Sequence, residues 1–287
     1  MARDKKLIQF YLTSRCNSRC KTCNIWKGTN GRYEDLPYEY VVEICLKNKD
    51  ADFVFGGGEY TLYSGRHRLL HALNGKDVNY TILSNAVSLP LLESVIQQHN
   101  IKNLTMSCDG VLHDEIRGVH GNLFNIATIL DKYRDKIPNI KLSYTYSKYN
   151  EKYFIADMDY IKKVLGFDKV YFCIAQDMDL LLRSGESVKP NSLEQILERS
   201  DMLYDKDRLY IESLLKGEKK PCDSTGSVFT VYSNGNVVLC QSFMSKCVLG
   251  NIYESDFNDI IGIVDNVKVI NCSYDKKCNL LCQRRYD

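Results

Sequence analysis

Two hydrophobic periods alternate through the first two thirds of the chain. Short apolar runs at residues 7–12, 52–55, 78–84, 103–107, 140–146 and 169–175, several of them rich in β-branched or aromatic residues, read as strands. Between them, helical spacing predicts helices over 38–47, 66–73, 90–99, 123–133 and 153–165. Val41, Val42 and Cys45 fall near one face of the first of these, and Pro90 sits in the first turn of the third. Six strand–helix repeats of this kind predict a parallel sheet with right-handed crossovers. By count alone, an open doubly wound sheet is as good a solution as a curved one.

The pattern breaks at residues 176–189, which carry a glycine, several charges and little periodicity, and read as a loop leaving the sheet. Ser192-Leu-Glu-Gln195 resembles a capping box, with Leu193, Ile196, Leu197 and Leu203 following it. Residues 209–215 continue helically to Gly217, and Lys219-Lys220-Pro221 ends the stretch. Two β runs, 228–232 and 237–240, then flank Ser233-Asn234-Gly235-Asn236, a strong hairpin signal, and a short helix is predicted near 256–263. The expected division is a core at 1–190, a helical linker at 191–220 and a small module at 221–287.

Composition narrows the class. A chain of 287 residues suits one β/α domain plus a small module. With 38 basic against 36 acidic residues, the total charge asks for neither nucleic acid nor an anionic membrane, and no basic, aromatic-interleaved segment stands out. There is no long apolar segment of the signal-peptide or membrane-span type, so neither is expected. The 20 tyrosines can line a polar substrate site or serve as semi-buried packing. Twelve cysteines, clustered at 16–23 and 222–282, point to metal rather than to oxidised pairs, and with that to a reduced cytoplasm.

The chemistry concentrates in Cys16-Asn-Ser-Arg-Cys20-Lys-Thr-Cys23. Gaps of three and two are too tight for a disulfide staple and leave an odd thiol, and they lack the paired spacing of a zinc ribbon. Three thiolates on one short loop can ligate three irons of a cubane [4Fe–4S] cluster, leaving the fourth open to a small molecule. This Cx3Cx2C after the first strand resembles the radical S-adenosylmethionine (radical SAM) enzymes. The resemblance implies a curved, partial (β/α)6 TIM-like barrel with its reacting groups at the C-terminal strand ends. It also implies that the amino and carboxylate groups of SAM bind the open iron, and that one electron then cleaves SAM to a 5′-deoxyadenosyl radical. Thr22 stands where the family usually has an aromatic residue, with Trp26 nearby.

Further motifs extend the resemblance. Gly56-Gly57-Gly58-Glu59 follows the second strand, where glycines let backbone approach a ligand; otherwise it is a tight turn. It resembles the family's GGE motif, which gives Gly57, Gly58 and Glu59 the SAM amino group. Ser84 and Asn85 end the third strand, and Ser107 and Asp109 the fourth, where a Ser and an Asp at alternate positions can face the lumen and bond ribose or substrate. The run from Ser107 to Gly118 looks like the same stretch in the peptide- and sugar-modifying branch. Arg117 then becomes a partner for the SAM carboxylate, or else a surface ion pair with Asp114 or Glu115.

The C-terminal module resembles the SPASM/twitch extension, which holds auxiliary iron–sulfur clusters. Cys222 and Cys240 fit its opening, and Cys272, Cys278 and Cys282 fit the end of its later cysteine run. Val269 occupies the position of that run's first cysteine, and none follows Cys282, so one further [4Fe–4S] cluster is expected rather than two. Cys222, Cys240, Cys282 and one of Cys272 or Cys278 would hold it; four thiolates also suit zinc. Of the other thiols, Cys45 reads as core and Cys108 as facing away from the lumen. Cys173 and Cys247 read as hydrogen donors to a substrate radical, as cluster ligands, or as small buried hydrophobes.

The implied activity is hydrogen abstraction from a substrate C–H bond. The first substrate is a ribosomal peptide, cross-linked or epimerised; the chain starts almost at its first strand, so a separate protein would bind the leader. The second is a small sugar or aminocyclitol, oxidised or epimerised. A non-catalytic iron–sulfur redox protein is the third reading. Flavodoxin or ferredoxin is the expected electron donor.

Overall fold

The computed structural model describes residues 5–27, 33–175, 187–218, 227–239 and 248–265. Nine strands form one sheet in the order β6-β5-β4-β3-β2-β1-β7-β8-β9. The first six, β1 (Leu7–Thr13), β2 (Asp52–Gly57), β3 (Asn79–Ser84), β4 (Asn103–Ser107), β5 (Asn139–Tyr146) and β6 (Tyr171–Ile174), are parallel to their neighbours. The helices between them are α1 (Tyr38–Lys47), α2 (Arg66–Leu73), α3 (Leu89–Gln98), α4 (His113–Arg117), α5 (Asn122–Tyr133) and α6 (Phe154–Lys163). All the predicted strands and helices of this part are present, with boundaries moved by two residues at most. The five-residue α4 was not foreseen, being too short to show a period.

Each strand divides its side chains by parity. Ile8, Phe10 and Leu12 of β1 and Leu142, Tyr144 and Tyr146 of β5 are buried in the main core with residues of the helices. Alternate residues, such as Gln9 and Tyr11 or Lys141 and Ser143, line a cavity of about 510 Å³. All of β1 to β6 contribute to that one cavity, so the sheet curls around it as a partial barrel. At the N-terminal strand ends a polar ladder runs across the barrel. Asn79 donates to Asp52 (2.7 Å), Asn103 to Asn79 (3.2 Å) and Asn139 to Asn103 (2.9 Å).

The capping-box expectation at Ser192 is corrected. Ser192 Oγ accepts from Glu194 N, two residues on, and a 3-10 helix (Glu194–Met202) follows before α7 (Asp205–Leu215). A hydroxyl that close in sequence tightens a turn rather than capping an α-helix. Beyond α7, β7 (Val228–Val231) and β8 (Asn236–Val238) form the predicted hairpin, with Gly235 at φ +84° in its turn. β9 (Val248–Asn251) and α8 (Phe257–Asp265) complete it. β7 lies parallel against β1, Leu7 opposite Val228, so the hairpin extends the barrel sheet in space although residue 221 separates it in sequence.

Buried carboxyl Asp157 on α6 locks the turn after β4. It accepts from Val111 N (2.8 Å) and the Tyr144 hydroxyl (2.7 Å), and a Cβ on Gly110 (φ +78°) would lie 2.0 Å from its Cγ. Burial pushes Asp157 up to about 7. Between the ordinary value near 4 and 7 the folded chain therefore holds a proton that the unfolded chain has released. Asp157 thus favours folding fully below about pH 4, and this contribution is lost as pH rises through 7. Asp157→Asn is expected to gain on the natural chain by up to a few kcal/mol between pH 4 and 7, with no further change above. Urea unfolding across that range measures it; parallel pH profiles of the two chains would refute it.

Candidate functional site

The cysteine loop leaves β1 at the C-terminal end of the barrel and is held by backbone. Arg19 N donates to Arg117 O and Lys21 N to Ile116 O (both 2.8 Å), tying the loop to α4. Gly58 N donates to Thr13 O (2.7 Å) and Glu59 N to Arg15 O (2.8 Å), tying it to the end of β2. This approach explains the glycines: a Cβ on Gly58 would lie 2.1 Å from Arg15 O, and one on Gly57 (φ +119°) 2.6 Å from Thr13 O. The structure thus brings Cys16, Cys20, Cys23, Gly57, Gly58, Glu59, Ser84, Asn85, Ser107, Arg117 and Cys173 to one cavity wall.

Glu59 is the hub beneath the loop. It is buried, and its oxygens accept from Thr61 N and Oγ1, Ser84 Oγ (2.7 Å) and Asn85 N (2.7 Å). Asn85 carries the link onward: its amide nitrogen lies 2.9 Å from Asn17 Oδ1, 2.8 Å from Ser18 Oγ and 3.7 Å from Cys16 Sγ. Burial raises the Glu59 carboxyl, and these donors oppose the rise. Four of the hydrogen bonds that Glu59 can accept are thereby taken within the protein.

Two expectations for the β4 end are corrected. Asp109 does not line the cavity beside Ser107; it lies past the strand end, fully buried, where Oδ2 accepts from Arg117 Nε (2.5 Å) and Oδ1 from Thr145 N (3.0 Å). Nor does Arg117 pair with Asp114 or Glu115. Asp114 accepts from Gly121 N and Leu123 N at the start of α5, and Glu115 pairs with Lys21 (2.6 Å). Asp109 holds the guanidinium instead, and Arg117 Nη1 lies 3.9 Å from Cys20 Sγ. His113, held near 4 by burial and so neutral, accepts from Asp109 N at Nδ1 (3.0 Å) and meets the Asn122 carboxamide at Nε2 (2.8 Å). The sequence motif carried Asp109, His113, Asp114, Glu115 and Arg117, but not which carboxylate would reach the arginine.

The loop also presents cations. Between Ser14 and Lys27 there are two arginines and two lysines and no acid. Arg19 and Lys27 stand 5.0 and 5.3 Å from the Trp26 ring centre, and the indole donates to Cys23 O (2.8 Å). Trp26 lines the cavity; Thr22 is buried and does not.

The thiols fit a polynuclear iron–sulfur group. All three line one cavity, yet no three Cys, His, Asp or Glu among the described residues converge on a single-ion position. Burial pushes Cys16 up to about 11 and Cys23 up to about 12, so three thiolates there need a strong cationic partner, which iron supplies. Arg117 and Asn85 are side-chain donors in reach of Cys20 and Cys16, and the backbone of Ser18 and of Ile25 donates to Cys16 and Cys23. The room beside them accommodates a cofactor such as SAM, with Gly57 and Gly58 backbone, Ser107 and Trp26 on its walls.

Of the other thiols, Cys45 and Cys108 are core residues on the helix side, and Cys173 lines the cavity with its sulfur 4.0 Å from Ser143 Oγ. Cys222, Cys240, Cys247, Cys272, Cys278 and Cys282 lie outside the described residues. No helix among the described residues is long and apolar enough to cross a membrane.

Comparison with known proteins agrees with this arrangement. The model of the radical SAM superfamily matches residues 10–161, and that of the SPASM iron–sulfur cluster-binding domain residues 222–283. No curated protein sequence matches the chain. Among solved structures, Streptococcus suis SuiB bound to precursor peptide SuiA is similar at TM-score 0.66 and 16% identity, over 90% of this chain and 64% of that one. The chain therefore spans less than two thirds of that SuiB chain's length. SuiB bound to S-adenosylmethionine gives 0.67 and 17%, over 96% and 72% of the two chains. Native anSMEcpe with bound AdoMet and Cp18Cys peptide gives 0.60 and 17%, over 95% and 87%. With the first family model covering more than half of its length and its three thiols gathered at the barrel's C-terminal end, the chain belongs to the radical SAM superfamily and is an enzyme of the kind that uses a [4Fe–4S] cluster and SAM, with a C-terminal SPASM domain for auxiliary iron–sulfur chemistry.

Proposed function

We propose that this enzyme modifies a ribosomally made peptide, removing hydrogen from a C–H bond and then cross-linking or epimerising the residue. The reading is carried by the combination of an open cavity of about 510 Å³ beside the thiols, with both polar and apolar walls, with likeness to SuiB bound to its precursor peptide and to peptide-bound anSMEcpe. When bound, the cluster and SAM supply one-electron reduction and a radical able to take hydrogen from an unactivated carbon. The chain's own residues hold the reactants: Glu59 and Asn85 fix the loop, Asp109 aims Arg117 at the cofactor side, and the strands wall off water. If the substrate radical loses an electron, the C-terminal module gives it a destination and the product is oxidised or cross-linked. If Cys173 or Cys247 returns a hydrogen, the product is epimerised.

One observation supports a second reading, oxidation or epimerisation of a small metabolite. BtrN in complex with AdoMet and 2-DOIA is similar at TM-score 0.50 and 15% identity, and this chain covers 83% of it.

The test incubates reduced holoenzyme and SAM in D2O with peptides encoded beside its gene. Cross-linking makes a peptide lighter by a pair of hydrogens; epimerisation keeps its formula and adds solvent deuterium at Cα. 5′-Deoxyadenosine with no altered peptide, but with oxidation of an added aminocyclitol, selects the second reading. No 5′-deoxyadenosine at all returns the chain to a redox-sensing role.

The electron donor is proposed to be an acidic carrier, flavodoxin or ferredoxin, docking on the cationic loop. Arg19→Glu/Lys27→Glu is expected to slow cluster reduction by flavodoxin roughly tenfold at low salt and to leave reduction by dithionite unchanged. Stopped-flow bleaching of the cluster reads both; equal slowing by the two reductants would mean damage to the loop, not lost docking.

A further inference from the structure

The walls of the cavity carry two carboxylates, Asp52 and Glu59, and two cations, Arg117 and Lys141. Three of the four are accounted for. Arg117 is neutralised by Asp109, Glu59 already accepts from four donors, and Asp52 accepts from Asn79 at the N-terminal end. Lys141 is the exception.

Lys141 sits on β5 at a lumen-facing position, opposite Thr105 of β4, with Ser143 the next inward residue on its own strand. It is half-buried, and no carboxylate among the described residues forms an ion pair with it. Its ammonium donates to the Tyr171 hydroxyl (2.8 Å) and lies 4.8 Å from the centre of that ring. A phenol and a π face orient a cation without cancelling its charge. An ammonium has three N–H donors, so two remain beyond the one given to Tyr171. Among the described residues, its own strand and the two paired with it, β4 and β6, add only neutral groups to the cavity wall, Thr105, Ser107, Ser143 and Cys173 among them. An uncancelled cation in a partly desolvated cavity is stabilised by an anion from outside the chain.

We propose that Lys141 is the specificity residue of this cavity and receives a carboxylate of the peptide substrate, from an Asp or Glu side chain or from the C-terminus. The proposal rests on the peptide reading above for the identity of the anion; the presence of an anion site does not. Lys141 is on this proposal a substrate-binding residue, set on the cavity wall that Ser143 and Tyr171 share.

The test uses crystals of the reconstituted holoenzyme with SAM, soaked in sodium bromide. An anomalous bromide peak at Lys141 Nζ is expected in the natural chain and in Lys141→Arg, and none in Lys141→Met, which keeps the stem over Tyr171. Soaking with N-acetylglutamate amide and with N-acetylglycylglycine then separates the two sources: the one that displaces bromide names side chain or C-terminus. No peak in the natural chain, or a peak surviving in Lys141→Met, overturns the proposal and leaves Lys141 as packing for Tyr171. Displacement by inorganic phosphate but by neither peptide carboxylate also overturns it. The soak needs neither reductant nor turnover, so failure of the peptide reading appears separately, in the mass and deuterium content of the products.

Discussion

Replacing Cys16, Cys20 and Cys23 together by alanine is expected to lower the iron bound after anaerobic reconstitution from about eight atoms per chain to about four, and to abolish SAM cleavage. Folding should survive. The loop is fixed by backbone bonds from Arg19, Lys21, Gly58 and Glu59, and no sulfur takes part in them. The three thiols line the cavity and are not members of the main core cluster, so alanine leaves little apolar packing unfilled. Iron and sulfide analysis of both chains decides the matter. About four atoms in the natural chain and none in the variant would remove the auxiliary cluster, make the C-terminal cysteines zinc ligands or free thiols, and favour redox-neutral epimerisation. Unchanged iron in the variant would sink the assignment of these three ligands.

Asp109→Ala should be among the most destabilising single changes in the barrel, at about 3–5 kcal/mol. The carboxylate is fully buried and the guanidinium it holds is 14% exposed, so truncation strands a desolvated cation and orphans Thr145 N as well. The pair's own net worth is smaller, because both charges were desolvated to make it. Asp109→Ala/Arg117→Met should therefore recover part of the loss, while Asp109→Asn, which still accepts from Thr145, should fall between. Urea unfolding of the cluster-free chains, with Arg117→Met as the fourth corner of the cycle, measures the coupling. A cost below about 1 kcal/mol for the single change would show that water reaches Arg117 as at a surface pair.

The strongest sequence signals were those with local causes. Strand and helix periods came through because each strand buries one parity against helices, Phe10 and Leu142 among them, whatever its neighbours do. The Cx3Cx2C spacing was legible because three ligands within eight residues constrain a loop by themselves. Gly58 showed in the sequence only as a glycine; its reason, the carbonyl of Arg15 at 2.1 Å from any Cβ, lies on the loop after β1. The partner of Arg117 was likewise closed to sequence reasoning. Asp114 and Glu115 are nearer along the chain, but each is drawn off, one by the start of α5 and the other by Lys21, 94 residues away.

By itself, then, the sequence determined the repeat that builds a parallel sheet, the three-thiol loop and the cysteine-rich C-terminal module, since periodicity and short ligand spacing act within a few residues. The tertiary structure alone decided that the hairpin joins the barrel sheet through β1, that Asp109 rather than its neighbours holds Arg117, and that Lys141 faces the cavity with no carboxylate of the described chain beside it. Those are matters of which distant groups meet, and strand register and sheet curvature set them.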